Sequence, residues 1–159
     1  MSITLKRLPI GSVIGDYVCP PDEENSFKIF ALIHNNRNTT FDDINKLEKN
    51  DRGAARKSFV KFHKNSITGQ PFRGIFDGTQ YHTGHEFNYR GNSVTIWRLW
   101  LAGDIRIYIY FLPNRTIVVL KTSAKRENSL SESEMIELET ITKMVIDCSN
   151  DGLVNIKEG

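Results

Sequence analysis

The chain has 159 residues, the size of one ordinary domain. Hydrophobic residues make up 39% and charged residues 25%, with nine Phe, five Tyr and two Trp; such a chain can bury a core and is not disordered, collagen-like or disulfide-dense. The formal net charge of +2 conceals a division: residues 1–51 carry 6 basic and 8 acidic side chains, residues 52–126 carry 13 and 3, and residues 127–159 carry 2 and 8.

A central block at net +10 suits a polyanion-binding surface, or equally a solvated basic face balanced by the acidic end. Cys19 and Cys148 have no metal-type spacing, which predicts two reduced thiols. The opening MSITLKRLPIGSVIG has no apolar run of signal-peptide length, and no stretch approaches the roughly 20 apolar residues of a membrane span. A soluble cytoplasmic protein without a membrane role is expected.

Residues 1–26 are punctuated by Pro9, Gly11, Gly15, Pro20 and Pro21 and predict an irregular arm with one short strand at Ile3–Leu8. The run Phe27–His34, FKIFALIH, reads as a buried strand. Thr40 followed by Asp42 and Asp43 predicts a capped helix start. Asp51-Arg52-Gly53 predicts a break or a bend, and a second helix is expected over about 54–67, with Ala55, Phe59 and Phe62 facing inward. Lys57, Lys61 and Lys64 form a neighbouring stripe that suits either phosphate contact or a solvated face. Residues 69–92, rich in Gly, Thr and Asn, read as a loop with one or two short strands.

The clearest signal covers 93–121, where SVTIWRLWL, DIRIYIYFL and RTIVVLKT predict three antiparallel strands. Ile105, Ile107, Ile109 and Phe111 alternate with Arg106, Tyr108 and Tyr110. A two-residue turn at Ala102-Gly103 would set Arg98 roughly opposite Arg106. Ser131 and Glu134 form a capping-box pattern, and Met135, Leu138, Ile141, Val145 and Cys148 mark the apolar face of a helix over about 132–148. The predicted class is α+β, with helices packed on a twisted antiparallel sheet.

Trp97-Arg98-Leu99, Ile105-Arg106-Ile107-Tyr108, Ile117-Val118-Val119-Leu120, Lys121 with Lys125-Arg126, and Glu134-Met135 together resemble the RelE/HigB-type toxins of the RelE/ParE toxin–antitoxin superfamily. The resemblance covers about residues 27–148. It implies a RelE-like domain over 27–159, with the helix pair and the C-terminal helix on the sheet. It also implies an endoribonuclease that cuts messenger RNA, on the ribosome, by attack of the ribose 2′-OH on its adjacent phosphate. No metal or other cofactor is implied, and the partners would be a cognate antitoxin protein, RNA and the ribosome. Such chemistry leans on cations that hold the transition-state charge, and arginine grips phosphate bidentately. The implied catalytic set is Arg98, Arg106, Lys121, Lys125 and Arg126, with RNA contacts at Lys57, Lys61 and Lys64. The chain departs from the family in having no aromatic residue and no His after residue 121. His82 and His85, and after them Tyr108 and Tyr110, are therefore the candidates for proton transfer. Two other readings stay open: a non-enzymatic inhibitor of gyrase like the ParE branch, or a nucleic-acid- or protein-binding module on the same scaffold.

Overall fold

The structure, a computed structural model, describes residues 1–9, 14–124 and 130–158. Its centre is one mixed sheet of eight strands: β1 (Ile3–Leu8), β2 (Lys28–His34), β3 (Arg37–Asn38), β4 (Tyr81–Tyr89), β5 (Asn92–Leu99), β6 (Ile105–Leu112), β7 (Thr116–Ala124) and β8 (Val154–Lys157). Seven of them stand in the order β4-β5-β6-β7-β2-β1-β8, with β3 paired to β2. The β4–β7 portion is an antiparallel meander, β2 joins β7 in parallel, and β8 joins β1 in parallel.

Among the described residues, four helices cover the sheet: α1 (Thr39–Asn45), α2 (Lys49–Ile67), α3 (Phe72–Ile75) and α4 (Glu132–Asn150). Ile105, Ile107, Ile109, Ile117 and Val119 bury one sheet face against Ile44, Phe59, Phe62 and Phe72 of α1–α3. Phe30, Leu32, Ile96, Tyr108, Val118 and Leu120 bury the other face against Leu138, Val145 and Cys148 of α4. The alternation expected along 105–111 therefore separates two core layers, as strand geometry requires.

Several expectations hold. Ser131 accepts from the Glu134 amide at 3.2 Å while the Glu134 carboxylate accepts from the Ser131 amide at 3.0 Å, closing the capping box of α4. Ala55, Phe59 and Phe62 are buried along α2.

Others are corrected. There is no break at 51–53: α2 runs from Lys49 straight through Gly53. A glycine inside a helix costs only about 1 kcal/mol relative to alanine, which the packed Ala55/Phe59/Phe62 face outweighs. The cap of α1 is Asn38, whose side chain accepts from the Phe41 amide at 3.1 Å, while Thr40 is buried. Residues 81–89 form a full nine-residue strand, paired with β5 along its length except for a bulge between Thr83 and His85. It is a sheet edge, so its outer side needs no apolar residues and its composition reads as loop. The β5–β6 connection is not a two-residue turn; it spans 100–104. That length shifts the register, and Arg98 faces Tyr108 instead of Arg106.

Candidate functional site

The register sets four candidate side chains in one row. His82 pairs with Arg98, Arg98 with Tyr108, and Tyr108 with Lys121. Directly opposed residues project from the same sheet face, so the row crosses β4, β5, β6 and β7 over about 14 Å, three strand spacings. Arg106, two residues before Tyr108, shares that face and stands opposite Ser123. This is the α4 face of the sheet, since Tyr108 packs with Leu138 and Val145.

Arg98 and Arg106 are only 5% and 2% exposed. The Arg106 guanidinium carbon lies 3.9 Å from the centroid of the Trp100 ring, and that of Arg98 lies 5.8 Å from the same ring. Arg98 Nη2 donates to the Thr79 carbonyl at 3.0 Å. Among the described residues, Arg98 Nε, Arg106 Nη1 and Ser123 Oγ are buried without a hydrogen-bond partner. Among the described residues, no salt bridge joins either guanidinium to a carboxylate.

Burial holds the pKa of both arginines below the ordinary value; the Arg106 charge lowers Arg98 further, whereas Tyr108 and, for Arg106, Asp104 oppose the shift. Burial pushes the Tyr108 hydroxyl up against the lowering effect of Arg98. Two buried like charges with no carboxylate in salt-bridge contact among the described residues are costly. A bound anion would remove that cost.

His82 Nδ1–H donates to the Thr83 carbonyl at 2.7 Å, which leaves Nε2 as the acceptor of that tautomer. An open cleft of about 290 Å³ adjoins His82, with Arg73, Tyr81 and Trp97 in its wall. Tyr81 stacks on Trp97 at 4.7 Å and the Arg73 guanidinium lies 5.1 Å from the same indole. His85 is engaged elsewhere: its Nε2 is 3.2 Å from Glu139 Oε2 of α4, and its ring stacks on Phe87.

The other candidates divide. Lys121 belongs to the row, but its Nζ donates to both Glu137 oxygens, at 3.2 and 3.3 Å. Tyr110 is partly buried and packs with the α4-side core. Lys125 and Arg126 lie outside the described residues. Lys57, Lys61 and Lys64 are exposed on α2, across the sheet from the arginines. Among the described residues, no group of His, Cys, Asp or Glu side chains is arranged to hold a metal ion.

Two contributors were not expected. Trp100 has the same strand parity as Arg98, two positions on, and parity was the signal that could have found it. Gly84 sits at the β4 bulge, where an added Cβ would meet the Tyr108 ring at 3.1 Å and Arg98 Cβ at 3.3 Å. Its missing side chain lets Tyr108 lie against β4.

No family model, curated protein or solved structure matches the chain. Among the described residues, no helix is long and apolar enough to cross a membrane.

Proposed function

We propose that Arg98 and Arg106 form a phosphate-binding centre and that the protein is an endoribonuclease of the RelE/HigB toxin type, acting on messenger RNA at the ribosome and held in check by a cognate antitoxin. The observation that carries this reading is the buried, adjacent guanidinium pair with an unpartnered N–H on each residue. Support also comes from the succession of β2, the helices α1 and α2, the antiparallel β5–β6–β7 and then α4, which keeps the relative order expected of a RelE-like domain with β3, α3 and β4 interposed.

In the proposed reaction the ribose O2′ attacks the adjacent phosphorus and loses its proton to a base. The P–O5′ bond breaks, O5′ takes up a proton, and the products are a 2′,3′-cyclic phosphate and a 5′-hydroxyl. Arg98 and Arg106 would hold the negative charge that builds on the phosphoryl oxygens. His82 is better placed than His85 to move a proton, because it shares the row with Arg98 and its Nε2 can accept. An anion reaches Arg106 Nη1 only when what covers it moves, and the Trp100 ring is part of that cover.

That depth of burial favours a second reading, in which the pair is structural and the protein is a non-enzymatic inhibitor like the ParE branch. Brief induction in cells, with RNA ends and DNA breaks mapped in parallel, separates the two. Discrete cuts within translated messages support the nuclease. Gyrase-linked DNA breaks with intact messages support the inhibitor.

A further inference from the structure

On the sheet face opposite the arginine pair, Ile14 and α2 border an open groove of about 410 Å³. Its floor is apolar, built by Ile14 and Val60, and its rim carries Arg56, Lys57, Lys61 and Lys64. The groove lining contains no carboxylate. Among the described residues none of these four cations is in an ion pair. We infer that this groove is a docking site for an acidic amphipathic helix of a partner protein.

The spacing fits such an occupant. Lys57, Lys61 and Lys64 follow one another at i, i+4 and i+7, and Val60 lies between them on the same side of α2. At 1.5 Å per residue the stripe spans about 10 Å, two helical turns. A helix laid along it can place apolar side chains at i and i+4 over Ile14 and Val60 while flanking carboxylates reach the rim. Charge complementarity then speeds encounter and sets the register, while the apolar floor contributes affinity that salt does not screen.

A single-stranded RNA is the weaker occupant. Its phosphates could use the rim, but bases need ring faces on which to stack. Among the described residues the groove lining holds no aromatic side chain, and Tyr17, beyond its rim, already has Lys64 Nζ 5.7 Å from its ring centroid. An aliphatic floor gives a base little.

The test uses the full chain and three fluorescent probes. The first is an 18-residue peptide with leucines at i, i+4, i+7 and i+11, glutamates beside that stripe and alanines behind it. The second has the same composition with its leucines scattered around the helix, and the third is a 12-nucleotide oligo(U). The ordered peptide is expected to bind at least tenfold more tightly than the scattered one. The Lys57→Glu/Lys61→Glu variant, altered only at exposed positions, should weaken the ordered peptide at least tenfold. Val60→Ala should weaken it several-fold and leave oligo(U) unaffected. Amide shifts on peptide binding should map to Ile14 and to 56–64 and not to β5 and β6. Equal binding of the two peptides, displacement of the ordered peptide by oligo(U), or no binding at millimolar peptide would each overturn the inference.

Discussion

The guanidinium of Arg106 packs on the indole of Trp100 at 3.9 Å, and the same indole closes its own connector by donating Nε1–H to the Gly103 carbonyl at 2.5 Å. Gly103 has φ +53° and a Cβ there would stand 2.9 Å from Ala54 Cβ of α2, so the connector is held against the helix layer while its Trp covers the arginines. A cation over an aromatic face contributes about 0.5–2 kcal/mol, more as it is desolvated. Trp100→Ala should therefore destabilise the protein by about 1–3 kcal/mol in urea unfolding, and Trp100→Phe should restore part of that loss. Equal losses for the two variants would contradict a stacking role.

Arg106→Met separates stability from anion binding. A buried cation with an unpartnered N–H costs free energy, and an apolar side chain of similar length removes that cost. The variant should unfold at the same temperature as the parent or higher. Sulfate and phosphate, which are expected to raise the parent's melting temperature by binding the folded state, should lose that specific effect. A variant that melts well below the parent would show that the charge is satisfied in the fold.

Gly84→Ala tests the β4 bulge. The new methyl meets the Tyr108 ring and Arg98 Cβ at 3.1 and 3.3 Å, and both neighbours are buried. Overpacking of this kind costs about 1–3 kcal/mol. Denaturant unfolding reads the loss; no loss would mean that Tyr108 can move aside. Leu138, fully buried under α4, gives the reference value on that face, since Leu138→Ala should cost about 2–5 kcal/mol.

His63 predicts a pH dependence. It is buried and hydrogen-bonded through Nδ1 to the Tyr17 hydroxyl at 3.1 Å, and burial, helped by the Arg7 charge, holds its pKa below 6.5. The folded state therefore binds the proton less readily than the unfolded state. The contribution is fully present above pH 6.5 and is lost as pH falls from there through the lowered folded value. Wild-type stability should drop between pH 7.5 and 5, and His63→Gln should flatten that slope. An unchanged slope would place the dependence on other groups.

Where two periodicities agreed, the sequence was legible. The β6 alternation and the capping box of α4 point to the elements they form, and strand alternation sets Arg98 and Arg106 on one sheet face although they do not pair. What escaped was set by long-range context. β4 has the composition of a loop because its outer edge needs no partner, and Val154–Lys157 is a strand through its pairing with β1. The Arg98–Tyr108 register depended on a five-residue connector whose length no local rule specified. His82 and His85 look equivalent as H-x-x-H, yet the bulge and the Glu139 contact divide them.

Cleavage of a defined message on translating ribosomes by the purified protein, with the new ends chemically identified, tests the phosphate centre most directly. A phosphate centre at Arg98 and Arg106 should give 2′,3′-cyclic phosphate and 5′-hydroxyl ends without added metal, and a rate loss of about 10²–10³ in folded Arg98→Ala and Arg106→Ala variants. Cleavage at full rate by both variants, or an intact message with the parent protein, would contradict it.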